Sequence, residues 1–168
     1  SDRMRIVAPS LRGFGETSPF DDGTSPSVDA LADDLAALLE ALAIPRAVVV
    51  GISLGGYVAL AFARQHADKL AALVLADTRA EADSDEAKVL RDRNIARVTS
   101  GDFAGFVDDT IEALVAPETL AIHEEVPGLA RALALQADPR SVIAMLRALR
   151  DRPDARPGLA SVRVPPLV

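Results

Sequence analysis

Ala47-Val48-Val49-Val50-Gly51-Ile52-Ser53-Leu54-Gly55-Gly56 is the stretch whose reading decides the fold. Its first four residues read as a buried parallel strand, apolar at every position because both faces of such a strand are covered. From Leu54 to about His66 the pattern is helical. Between strand and helix, Gly51-Ile52-Ser53-Leu54-Gly55 fits G-x-S-x-G. Five letters rich in Gly and Ser are a weak signal. The strand before them and the helix after them make it a strong one. The physical reason is steric: so tight a turn leaves no room for bulky side chains at its flanking positions, here Gly51 and Gly55. A serine at its apex sits on a strained backbone with Oγ exposed above the sheet edge. The Leu54 N–H then lies at the start of the helix, where unpaired donors and the helix dipole favour an oxyanion. Ser53 is thus the candidate nucleophile and the Leu54 N–H the candidate oxyanion donor. The alternative is a strand–turn–helix corner with no chemistry.

Outward from this corner, Leu70-Ala71-Ala72-Leu73-Val74-Leu75-Ala76 reads as another buried strand. On the other side, Ser27 is an N-cap for a helix with an apolar stripe at Leu31, Leu35, Leu38, Leu39 and Leu42, and Pro45 ends it. Before that, Arg5-Ile6-Val7-Ala8 is a short strand-type run, and residues 9–27 are a loop rich in Gly, Pro, Ser, Thr and Asp. Strand, helix, strand, helix, strand predicts an α/β fold with a parallel sheet and right-handed crossovers. Beyond Arg79 only helical stretches follow, at about 84–99, 102–115, 118–137 and 139–150, with a break expected near Pro127-Gly128. Val162 to Val168 begins one more strand. The expected organisation is a partial core over 1–79, a helical cap over 80–152 and a return to the core over 153–168.

Composition narrows the function classes. The 168 residues suffice for one domain with a real core, and 49% of them are hydrophobic. No apolar run reaches the ~18 residues of a membrane span, so no membrane partner is expected. No signal-type apolar stretch follows Ser1-Asp2-Arg3-Met4-Arg5, and the expected setting is cytoplasmic. A net charge of −7 with no basic cluster argues against nucleic acid. Without cysteine there is no disulfide or thiolate metal site. No His/Asp cluster has metal-ligand spacing, and Gly13-Phe14-Gly15 lacks the strand-then-helix context of a phosphate loop. No metal or other cofactor is expected.

Taken together, these residues resemble the α/β-hydrolases of the esterase, enol-lactonase and haloperoxidase-like group. Ala8-Pro9-Ser10-Leu11-Arg12-Gly13-Phe14-Gly15 resembles the loop after the family's fourth strand, with Ser10 where Asp is usual. Val48 to Gly56 with Ala59-Leu60-Ala61 resembles the elbow and its helix, and Leu73-Val74-Leu75-Ala76-Asp77 the sixth strand. Val164-Pro165-Pro166-Leu167-Val168 resembles the start of the seventh. The resemblance is strong to about residue 79 and looser beyond. It implies a partial α/β-hydrolase sheet with a helical cap, and Ser53 attacking a small ester or lactone. It also implies that the chain is a fragment from the fourth to the seventh strand, truncated, cleaved or completed by a part supplied separately. A complementary segment or a swapped dimer is then expected beside the open edge at Arg5–Ala8.

The family's triad runs Ser, acid, His in chain order, with the acid after the seventh strand and the His after the eighth. Neither lies in this sequence by that correspondence, so impaired catalysis is expected. His66 lies 13 residues after Ser53 on the same helix, about 20 Å away. A general base must come within ~3 Å, which excludes it. His123 stands beside Glu124 and Glu125 on an expected solvated surface. Asp77, after the sixth strand, is a position a minority of the family uses for its acid. The pairs Asp21-Asp22, Asp33-Asp34 and Asp108-Asp109 are adjacent and point apart. Phe103, Phe106, Leu114 and Met145 are candidate pocket-lining side chains, with packing inside the cap as the competing reading. Two other functions stay open: a non-catalytic binding or assembly module on the same fold, and a perhydrolase or haloperoxidase-like activity using the same triad.

Overall fold

The computed structural model describes residues 4–19, 27–123 and 125–168. Helix α1 (Val28–Ala41) starts where Ser27 Oγ accepts the Ala30 N–H at 3.0 Å. Strand β1 (Ala47–Ile52) follows, then α2 (Leu54–Gln65), a 3₁₀ turn (Ala67–Lys69) and β2 (Leu70–Ala76). β1 and β2 pair in parallel from Ala47 opposite Leu70 to Ile52 opposite Ala76. The short β3 (Pro166–Leu167) extends the sheet in parallel beside Leu73 and Val74, giving the order β1-β2-β3.

One face of the sheet carries the core. Val49, Leu70 and Leu73 pack there with Leu31, Ala32 and Leu39 of α1 and Val58, Ala59 and Phe62 of α2. Phe62, Leu31, Leu70 and Leu73 are fully enclosed. The polar side of α1 ties this layer together: Asp29 pairs with Arg64 at 2.5 Å, Asp33 with His66 at 2.8 Å, and Glu40 with Lys69 at 3.0 Å. Asp34 pairs with Arg12 of the preceding loop.

Between β2 and β3 lie α3 (Asp85–Thr99), α4 (Phe103–Leu114), α5 (Pro117–Ile122), α6 (Glu125–Ala134), α7 (Pro139–Arg150) and α8 (Arg156–Leu159). Caps fix their starts: Ser84 accepts from Ala87, Asp102 from Gly105 and Asp138 from Arg140. α3 packs on α7 and α4, and α4 on α6. A buried ion pair clamps the two crossings between this block and the sheet layer. Arg152 donates to Asp83 at 2.6 Å and to the Glu81 carbonyl at 3.0 Å, and its guanidinium lies 4.1 Å over the Tyr57 ring. Arg91 holds the other Asp83 oxygen at 3.1 Å.

Four expectations need correction. Among the described residues Arg5–Ala8 is not a strand: it is exposed, and a strand needs a neighbour to take its backbone hydrogen bonds. The open edges belong to β1 and β3 instead. Second, β1 is covered on one face only. Val49 is 7% exposed, while Val48, Val50 and Ile52 are 57%, 62% and 66% exposed. Third, the 118–137 stretch divides at His123, not at Pro127. Pro127 is the third residue of α6, in the first turn, where a missing N–H costs no intrahelical bond. Fourth, the final run is a strand only at Pro166–Leu167, and α8 precedes it. Residues 20–26, including Asp21-Asp22, and Glu124 lie outside the described residues.

Candidate active site

Ser53 sits between β1 and α2 with φ 48° and ψ −111°, a left-handed φ that L-residues rarely adopt. Three hydrogen bonds hold it. Its N–H donates to the Ala76 carbonyl at the end of β2 (3.0 Å). Its own carbonyl accepts the Gly56 N–H (3.0 Å) and the Thr78 hydroxyl (2.9 Å). The residue is exposed, and among the described residues no side chain hydrogen-bonds to its Oγ. Leu54 opens α2, so its N–H is one of the first-turn amides without an intrahelical acceptor.

The steric requirement falls on Gly51 and Gly56. A Cβ at Gly51 would stand 2.3 Å from the Gly55 carbonyl oxygen. One at Gly56 would stand 2.4 to 2.5 Å from the Thr78 side chain. Gly55 meets nothing within 4 Å, so the expectation of a barred position there is corrected: its Cβ direction is open. Thr78 was not singled out in the sequence, being far along the chain from Ser53. The Gly55-Gly56 doublet was the one local sign that something else approaches the helix start.

At the neighbouring strand end, Asp77 also has a positive φ, of 45°. It is exposed and lines an open groove with Leu75, Ala76, Thr78, Leu167 and Val168 at the ends of β2 and β3. His66 caps the far end of α2, with its ring on Asp33 and 5.3 Å from the Phe62 ring. His123 is on the exterior, 3.2 Å from Glu125. Neither is brought to Ser53. Met145 lies in the core with α1 and α2, and Leu114 is 78% exposed. Phe103 and Phe106 are half-buried on α4. Among the described residues no three His, Asp or Glu side chains gather as a metal site, and no helix is long and apolar enough to cross a membrane.

The model of the alpha/beta hydrolase fold family matches residues 1–146. A thermophilic esterase from Thermogutta terrifontis, solved with malate bound, superposes with a TM-score of 0.90 at 38% identity over 98% of this chain. The enol-lactonase from Burkholderia xenovorans LB400 superposes with a TM-score of 0.80 at 24% identity over 93% of this chain. In sequence, a putative carbamate hydrolase, RutD, of Caulobacter sp. (strain K31) is 40% identical over 74 residues, 44% of this chain. The chain spans 60% of the esterase, 57% of the enol-lactonase and 27% of the carbamate hydrolase.

Proposed function

The chain belongs to the α/β-hydrolase fold family, and from that premise we propose that Ser53 is the nucleophile of a serine hydrolase acting on a small ester or lactone. The observation that carries this reading is the backbone of Ser53. A non-glycine residue is held at φ 48° by three hydrogen bonds, exposed, at the junction of a strand and a helix. Such strain persists only where the surroundings enforce it, and it costs of order 1–3 kcal/mol. In the proposed reaction Ser53 Oγ bonds to the acyl carbon, its proton passes through a base to the alcohol or ring oxygen as the acyl C–O bond breaks, and water then releases the acyl group from Ser53. The Leu54 N–H faces the developing oxyanion. The helices between residues 85 and 150 form the cap over the pocket.

The base is neither His66 nor His123, both of which are paired elsewhere. Turnover needs a base from a further residue, since losing a triad member costs ~10⁴–10⁶ in rate. The open edge of β1, with Val48, Val50 and Ile52 exposed beside it, is where a complementary segment or second copy pairs.

A fluorophosphonate probe with mass readout tests the nucleophile. A single adduct on Ser53, lost in Ser53→Ala, is expected. A folded protein whose triad is complete and that takes no adduct at Ser53, yet is stabilised by an ester analogue, sinks the catalytic reading in favour of a binding module.

A further inference from the structure

Two non-glycine residues with positive φ stand side by side at the ends of adjacent parallel strands: Ser53 after β1 and Asp77 after β2. The bond from the Ser53 N–H to the Ala76 carbonyl continues the ladder between these strands into the turn. At Asp77 the chain leaves the strand direction, and the next residue, Thr78, is laid against the elbow. Its hydroxyl donates to the Ser53 carbonyl at 2.9 Å. Its Oγ1, Cβ and Cγ2 together fill the space that a Cβ on Gly56 would need. The Ser53 carbonyl therefore has two donors, Gly56 N–H from the helix and Thr78 O–H from the neighbouring strand end. The first fixes the carbonyl relative to α2, and the second fixes it relative to β2. A peptide plane held from two elements cannot rotate about ψ of Ser53 without breaking one bond, and ψ is one of the two angles that place Oγ and the Leu54 N–H relative to each other.

We propose that Thr78 is a positioning residue for Ser53: its hydroxyl locks the Ser53 carbonyl and so holds the strained turn in the one conformation that presents Oγ to the carbon, and the Leu54 N–H to the oxygen, of the same substrate carbonyl group. Gly56 is glycine because Thr78 occupies its side-chain volume. The inference rests on Ser53 being the nucleophile, but the lock itself can be measured without any reaction.

Thr78→Ser and Thr78→Ala differ from each other only in the hydroxyl. In the 168-residue chain, the maximal rate of fluorophosphonate labelling should fall on the order of 10-fold or more in Thr78→Ala, with the half-saturating probe concentration unchanged. Thr78→Ser should stay within about 3-fold of the unaltered chain, because it keeps the donor. A purely structural residue would not show this split. In parallel, amide exchange at Ser53 and Gly56 should be about 5- to 10-fold faster in Thr78→Ala than in Thr78→Ser. Equal labelling rates for Ala and Ser, or equal exchange, overturn the proposal. If the unaltered chain, without a base beside Ser53, takes no label, the amide-exchange comparison alone decides the lock, and equal exchange in the two variants overturns it. Should Thr78→Ala not fold, Thr78→Val, which preserves shape without the hydroxyl, replaces it in both comparisons.

Discussion

A Cβ placed on Gly51 collides with the Gly55 backbone at 2.3 Å, while one on Gly55 reaches nothing within 4 Å. The two glycines are equivalent in the five-letter pattern and different in space. Gly51→Ala should therefore lower stability by about 1–3 kcal/mol, the usual cost of overpacking against groups that cannot move aside. Gly55→Ala, at the second position of α2, should be neutral or stabilising by up to about 1 kcal/mol through helix propensity. Chemical denaturation of the two variants checks the contrast; equal losses would contradict it. Ser53 was legible because its constraint is local, a strand, a turn and a helix in ten consecutive residues. Thr78 was not, because its hydroxyl meets Ser53 only after β2 has paired beside β1.

Among the elements, the helices between β2 and β3 depend on carboxylate caps. Asp102 begins α4, and its hydrogen bond with Arg97 holds its carboxyl below the usual range. Asp138 begins α7, and the side-chain and backbone bonds from Arg140 do the same. A depressed carboxylate stabilises the fold fully above its unfolded pKa of about 3.9 and loses that contribution as pH falls through the lower folded value. Far-UV circular dichroism should thus show no loss between about pH 7 and 5 and a fraying of these helices below about pH 4. Asp102 is exposed and Asp138 half-buried at the surface, so the effect should shrink in high salt. The clamp at Arg152 behaves differently, since both partners are buried, at 3% and 4% side-chain exposure. Asp83→Ala strands the Arg152 and Arg91 guanidiniums and should cost about 3–5 kcal/mol, read as a lowered denaturation midpoint. Helix positions were readable from periodicity and caps. The division of the 118–137 stretch was not, because Pro127 breaks a helix interior yet fits a first turn, and its position within α6 depends on where the chain turned at His123.

For the molecule as a whole, the sheet has one packed face and one open one. Val49→Ala removes buried methyls against α1 and α2 and should cost about 2 kcal/mol. Val50→Lys, one residue along on the open face, should change stability by no more than about 0.5 kcal/mol. The same substitution should weaken any self-association through the β1 edge, because a lysine on an edge strand opposes further pairing. Sedimentation across a concentration series measures this; association unchanged by Val50→Lys would remove the β1 edge from consideration. By itself the sequence determined the α/β class, the strand–serine–helix corner, the strands at Val48–Val50 and Leu70–Ala76, and the family resemblance. Each of these rests on spacing within a few consecutive residues, where propensity and turn sterics act. Only the tertiary structure decided that β1 is covered on one side, that Arg5–Ala8 has no strand partner among the described residues, and that Thr78 and Gly56 interlock beside Ser53. These are questions of what packs alongside, and the answer comes from residues brought together by strand pairing rather than by nearness in the chain.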